Sequence, residues 1–261
     1  MNSLWRFCLL VIPCSLIIAF FSRAEPTFSQ GVTSYQKNEL EPAREKFMQA
    51  LKDSPHSIST LYNLGLVEYK LGKKGLGLAY WRRVLDLSPG NSNALSAIKF
   101  ASGELLTNKP LPTRPFYETL RENILVHMSF SFALLFVFIF SFGAIWVLLT
   151  FMGARRRALL TAATPTNYPL YGYLLWILAA FFTSISLLKS YDRNIKRATI
   201  ISSPAIVRSG PSENATNLFE LFEGSEVIVR QSKDTWTQVS LPGKNTGWVM
   251  SELLFINTEK M

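Results

Sequence analysis

The chain has 261 residues, a formal net charge of +9, 48% hydrophobic residues, two cysteines and two histidines. That length allows one or two domains plus anchors. Its excess charge gathers at the borders of apolar runs, with +3 across Arg155–Arg157 and +3 from Lys189 to Ala198. Nucleic-acid binding is therefore not expected, and neither is a disulfide framework, because Cys8 and Cys14 both lie in the first apolar stretch.

Residues 1–24 read as an export signal or an N-terminal anchor. Arg6 is followed by apolar Phe7–Phe21, and Ser22-Arg23-Ala24 has the small-x-small form of a cleavage site. Both readings send the residues that follow across the membrane.

From Glu25 to Glu104 the chain matches itself at a spacing of 34 residues. Gly31 falls on Gly65, Tyr35 on Tyr69, Asn38 on Gly72, Phe47 on Trp81, Leu51 on Leu85 and Pro55 on Pro89. A period of that length, with small residues at helix crossings and prolines at repeat ends, is the signature of stacked helix pairs. A further helix over Asn93–Leu105 has no following partner and reads as the cap, with Leu95 and Ile98 facing inward.

The Leu64-Gly65, Gly72, Trp81 and Pro89 spacing resembles the tetratricopeptide repeat, although Gln30, Gly77 and Val84 depart from its pattern. The resemblance implies a scaffold that holds a partner on a concave face. Mapped by repeat position, that face carries Tyr35, Tyr62, Tyr69, Lys70 and Asn93 as candidate partner-binding residues, with Val32, Leu66 and Phe100 beside them. Packing between repeats is the competing reading, and it is preferred for Leu66 and Phe100. Phe28 and Val32 stand where the family's carboxylate clamp needs polar residues, so that activity is not carried over.

Pro110, Pro112 and Pro115 predict an extended connector within residues 108–127, and Phe116, Leu120 and Ile124 predict a short interfacial helix after it. Two uncharged runs follow, assigned as membrane helices over 128–152 and 168–188. Each is near the ~20 residues that cross a bilayer. Between them, residues 153–167 read as a loop in which Arg155, Arg156 and Arg157 set the topology: cytoplasmic by the positive-inside rule, with the soluble regions exported.

Beyond the basic stub the pattern changes to short β-branched and aromatic runs at Glu226–Arg230, Thr235–Leu241 and Thr246–Met250. A five-stranded barrel over residues 199–261 is expected. Ala205-Ile-Val-Arg-Ser-Gly-Pro-Ser212, Gly224-x-x-Val227-x-Val229, Trp236-x-x-Val239 and Gly247-Trp248-Val249 resemble the bacterial SH3-like domain. Gly247 is expected to permit a close turn and Trp248 to be core, with Trp236 ambiguous. Arg208, Glu213, Asn214 and Trp236 are the candidate ligand residues, against the simpler reading of solvated loop positions for the first three. Some bacterial SH3-like domains bind cell-wall peptides, which makes peptidoglycan an implied partner.

No nucleophile, base or metal-ligand spacing emerges: His56 and His127 stand apart, and no cysteine falls outside the first apolar stretch. No catalytic residue, metal or cofactor is expected. The fold class is multidomain: α-helical tetratricopeptide-like repeats, a two-helix transmembrane hairpin and an all-β SH3-like small barrel. That module order resembles the BatE family of the Bat aerotolerance operon. The resemblance implies an inner-membrane scaffold with envelope membrane partners, among them von Willebrand A-type Bat proteins, and a link to aerotolerance.

Overall fold

The computed structural model describes residues 26–106, 116–164, 167–241 and 246–257. The expected export signal, both cysteines, the prolines of the connector and the Pro242–Asn245 turn lie outside these residues.

Five helices open the described chain: α1 (Pro26–Gln36), α2 (Leu40–Asp53), α3 (Ile58–Lys70), α4 (Lys74–Leu87) and α5 (Ser92–Leu106). They form two antiparallel pairs and a closing helix, and the 34-residue period reappears in their geometry. Asn38 and Gly72 both end the first helix of a pair with positive φ, 62° and 85°. An added Cβ at Gly31 would sit 2.7 Å from the Phe47 ring, and one at Gly65 would sit 2.3 Å from the Trp81 indole nitrogen. In each pair a glycine on the first helix therefore makes room for a large ring on the second. Ala43, Phe47, Leu61, Leu64, Val67, Leu78, Trp81 and Val84 fill the core. On the closing helix the fully buried positions are Ala94 and Ala101, and Ile98 packs against the cluster; Leu95 is only half-buried and takes no part in it. Small residues let α5 lie close, which the apolar count alone did not indicate.

Helix α6 (Phe116–Leu120) passes into a π-helical turn over Arg121–Leu125. The expected interfacial face begins at Phe116, yet Phe116 is 82% exposed, while Glu118 and Leu125 are buried. The buried side is set by charge, as described below.

Helices α7 (Phe130–Leu160) and α8 (Leu170–Asn194) pack antiparallel and are long and apolar enough to cross a membrane. Phe136 and Phe140 stack on Phe182 at 4.9 and 5.5 Å. Leu134, Phe138, Phe142 and Trp146 point outward. Helix α7 continues through Arg155–Arg157 to Leu160, so the three arginines ride exposed on its last turns, not in a loop. The far helix likewise runs to Asn194, through most of the stretch read as a basic stub.

Seven antiparallel strands follow: β1 (Arg197–Ile200), β2 (Ala205–Arg208), β3 (Asn217–Leu221), β4 (Glu226–Lys233), β5 (Trp236–Ser240), β6 (Thr246–Met250) and β7 (Leu254–Ile256). Their order is β3-β2-β6-β5-β4-β1-β7. Two more strands are present than expected. Strand β1 opens at Arg197, inside the basic stretch, and pairs with β4 and β7. Only two residues separate α8 from β1, so the second long helix feeds directly into the sheet.

Trp248, expected in the core, is not there, and the ambiguous Trp236 is. Trp236 is buried at 7% exposure, while Trp248 is half-buried. In β6 the neighbours Gly247 and Val249 turn to the core, and strand alternation sends Trp248 to the other face. Gly247 does permit a close approach: an added Cβ would lie 2.3 Å from Val207 Cγ1 and 2.9 Å from the Arg208 carbonyl oxygen.

Candidate functional site

Three places on the molecule gather chemistry. The first is a groove on the face made by the leading helices of the repeats. Tyr35 from α1, Tyr62, Leu66, Tyr69 and Lys70 from α3, and Asn93, Ser96, Ala97 and Phe100 from α5 line about 340 Å³, with Trp81 of α4 among the lining residues. The five candidate partner-binding residues are brought together here, with Leu66 and Phe100 beside them; Val32, mapped to the same face, is not among the lining residues. Trp81, Ser96 and Ala97 were not anticipated; their place follows from the closing helix lying alongside α3 and α4.

The groove is aromatic, with one cation at its side. Tyr69 stands 5.5 Å from Trp81 and 6.1 Å from Phe100, ring to ring. The Trp81 indole N–H donates to the Tyr62 carbonyl oxygen at 3.1 Å, which fixes the floor. Phe100 remains 67% exposed, so it is not consumed by packing between repeats. The Lys70 ammonium lies 4.4 Å from the Tyr35 ring centroid, within cation–π range. At one end Glu104 accepts from both the Tyr69 hydroxyl and Lys74. Partial burial, reinforced by that carboxylate, pushes the Tyr69 phenol up to about 12. The Glu104 carboxyl is held down, chiefly by Lys74 and then by Tyr69.

The second place is a seat between α4 and the sheet. Helix α4 has no side-chain cap of its own, and Glu223, in the turn between β3 and β4, supplies one: its Oε1 accepts from the Gly75 N–H at 2.5 Å. Arg82 donates to Thr199 Oγ1 at 2.8 Å and Arg83 to the Asn257 carbonyl oxygen at 2.5 Å. The Tyr80 ring meets Phe255 edge-on at 5.1 Å. The sheet thus occupies the side of the repeats formed by α4, and the groove is left open.

The third is a closed cluster of charge where α6, α8 and the sheet meet. Arg121 reaches Asp192 at 3.3 Å and Glu226 at 3.2 Å, with Glu118 at 3.9 Å. Arg197 reaches Glu118 at 3.2 Å and Asp192 at 3.0 Å, and the Tyr117 hydroxyl donates to Asp192 at 2.9 Å. Arg197 is buried and Arg121 largely so, at 5% and 12% side-chain exposure. Burial alone would raise the Glu226 carboxyl; Arg121, helped by Arg82 and Arg197, overcomes this and holds it at about 2. Burial and the Asp192 carboxylate push the Tyr117 phenol well above its ordinary range. Lys189 adds a bond to the Leu125 carbonyl oxygen at the end of the π-helical turn. Sequence reading placed Arg197 at a membrane border and gave Arg121 no role. The available signal was Asp192, the lone acid among the basic residues after α8's apolar run.

The candidate ligand residues of the sheet are less well placed. Arg208 donates to the carbonyl oxygens of Glu213 and Ala215, the latter at 3.3 Å, and so shapes its own loop. It also lies 6.0 Å from the Trp236 ring, which is buried. Glu213 and Asn214 are exposed at the loop's tip, apart from any enclosed surface.

A family model for the bacterial SH3 domain matches residues 203–254. These residues form a bacterial SH3 domain, and β1, which precedes the matched segment, extends its sheet. No curated protein matches the chain significantly.

Proposed function

We propose that this chain is a non-catalytic membrane adaptor whose groove, lined by Tyr35, Tyr62, Tyr69, Lys70 and Asn93, holds an extended segment of an envelope membrane protein. The groove itself carries the reading: an open aromatic surface bordered by a cation, on an array whose opposite side is already taken by the SH3 domain. Aromatic and cationic side chains are what hot spots of protein recognition are built from. The 34-residue repeat supports assigning the array to the tetratricopeptide type.

The antiparallel hairpin supports placing repeats and SH3 domain on one side of the bilayer, because α7 begins and α8 ends at the end where both modules attach. The exposed Arg155–Arg157 group at the other end supports a cytoplasmic turn and periplasmic modules. Alkaline phosphatase fused after Thr107 and after Ser203 is expected to be active at both points; two inactive fusions would overturn this orientation. Module order alone suggests von Willebrand A-type Bat proteins as partners and aerotolerance as the setting.

The groove reading is tested by replacing Tyr62 and Tyr69 together with alanine in the full chain. Co-purification of envelope membrane proteins is expected to drop while the helical signal persists. Unchanged co-purification removes the groove from the account.

A second reading rests on the family match, since bacterial SH3 domains commonly bind peptidoglycan. It predicts that the detergent-solubilised chain sediments with purified peptidoglycan, and that substitution near Glu213 and Asn214 abolishes this. Failure to sediment would count against it.

A further inference from the structure

We infer that the seat of the SH3 domain and the shape of the groove are coupled through Glu104, so that the SH3 domain regulates what the repeats hold. The inference rests on the groove being the partner site and adds how that site is controlled.

Helix α5 serves both places. Its residues Asn93, Ser96 and Phe100 wall the groove, and its last turn carries Glu104 and Leu105. Glu104 accepts from Tyr69, a groove residue, and from Lys74, the first residue of α4. The next residue, Gly75, donates its N–H to Glu223 of the SH3 domain at 2.5 Å. The groove's terminal ion pair and the helix cap supplied by the other module therefore sit on adjacent residues.

The contact on either side of this connection is tight. An added Cβ at Gly75 would lie 2.5 Å from Glu223 Cγ and 2.8 Å from the Ile200 carbonyl oxygen. One at Gly224 would lie 3.0 Å from Leu105 Cδ1 and 3.1 Å from Leu78 Cδ2. The turn from Phe222 to Ser225 thus bears on the start of α4 and the end of α5 together, and close-packed contacts transmit small displacements instead of absorbing them. If the turn withdraws, the start of α4 loses its cap, and Lys74 and Leu105 lose the neighbours that position Glu104. Tyr69 and Phe100 then have no fixed end to close against. Beside the Tyr80–Phe255 ring contact, the seat is held by hydrogen bonds of Glu223, Arg82, Arg83, Thr199 and Asn257, and such a polar share is the character of an interface that can open.

Linkage makes the effect reciprocal: what loosens the seat must loosen the groove, by the same factor. The test is hydrogen–deuterium exchange on the full chain in lipid nanodiscs with no partner added. In Glu104→Gln, peptides covering 222–225, where the Gly224 N–H donates to the Ile200 carbonyl oxygen at 2.8 Å, are expected to exchange between about 5-fold and 100-fold faster. In Glu223→Gln the same acceleration is expected over 93–101, which the substituted side chain does not touch. Protection at Val227, Val239 and Val249 reports that the SH3 core is intact. Should Glu104→Gln lose that protection, Tyr69→Phe, which removes only the hydroxyl, decides by the same peptides. Changes confined to 69–78 and 102–106 in one variant, and to 73–78 and 220–226 in the other, overturn the coupling whatever the groove captures. Coupled exchange in a chain whose groove captures nothing would retire the adaptor reading, and with it the regulation of a held partner, leaving only the coupling between seat and groove.

Discussion

The groove and the charge cluster both hold tyrosine and basic side chains and end in opposite states. Around Arg121 and Arg197 each guanidinium has two or more carboxylates, the groups are largely buried, and the surface is closed. In the groove the rings stay half open to solvent, and Lys70 has an aromatic face beside it and no ion-pair partner among the described residues. Paired and buried charge locates and holds elements; an unpaired cation beside exposed rings is free to engage something from outside. On the proposed function, structural and recognition roles are thus separated within one chain, with the two long apolar helices attached to the first.

The comparison breaks most visibly at Arg121. Arg121→Ala would leave Glu226 without its ion-pair partner while Asp192 keeps Arg197, and removing one member of a largely buried pair costs up to about 3–5 kcal/mol. Thermal unfolding of the full chain in detergent should show a loss of that size, whereas Lys70→Ala should not.

Acidification probes the same cluster. The Glu226 carboxyl is held at about 2, below its ordinary 4.5. Its contribution is therefore fully present above pH ~4.5 and is lost as pH falls from there toward 2, on the order of 1–3 kcal/mol. A stability profile flat across that window, or rising as pH falls, would contradict the assignment. Arg121→Ala should flatten the profile.

Gly65→Ala sharpens the groove side. The new methyl would press on the Trp81 indole, and overpacking of this kind costs about 1–3 kcal/mol. Because Trp81 is also the groove floor, partner capture should weaken with it. The smallest stability effect belongs to Lys70→Ala, within about 0.5 kcal/mol as for most exposed positions, with capture reduced. Normal capture by Lys70→Ala would remove the cation from the recognition surface.

How much of this was legible in sequence follows from how local each feature is. The helix pairs were readable because Gly31 with Phe47, and Gly65 with Trp81, lie within one repeat and recur at 34 residues. Tyr35, Tyr62, Tyr69, Lys70 and Asn93 of the groove followed once the period was known, whereas Trp81, Ser96 and Ala97 did not. The SH3 domain announced itself through short motifs in order. Trp248 was misplaced although its strand held the answer, since Gly247 and Val249 facing inward force it outward. The charge cluster was not legible: its bonds join residues 71, 75, 79 and 105 positions apart, and no periodicity relates such positions. The Glu223 cap on Gly75, 148 positions away, was hidden for the same reason. Long basic side chains near apolar runs read as membrane-border charge until the fold supplies their partners.

Placing a photoreactive p-benzoylphenylalanine at Ser96 in the groove, and separately at Asn214 in the SH3 loop, tests the division of labour most directly. In cells, the account predicts a discrete protein adduct from position 96 that disappears when Tyr69 is replaced by alanine, and none from position 214. An adduct only from position 214, or cell-wall material crosslinked there with position 96 silent, would contradict it.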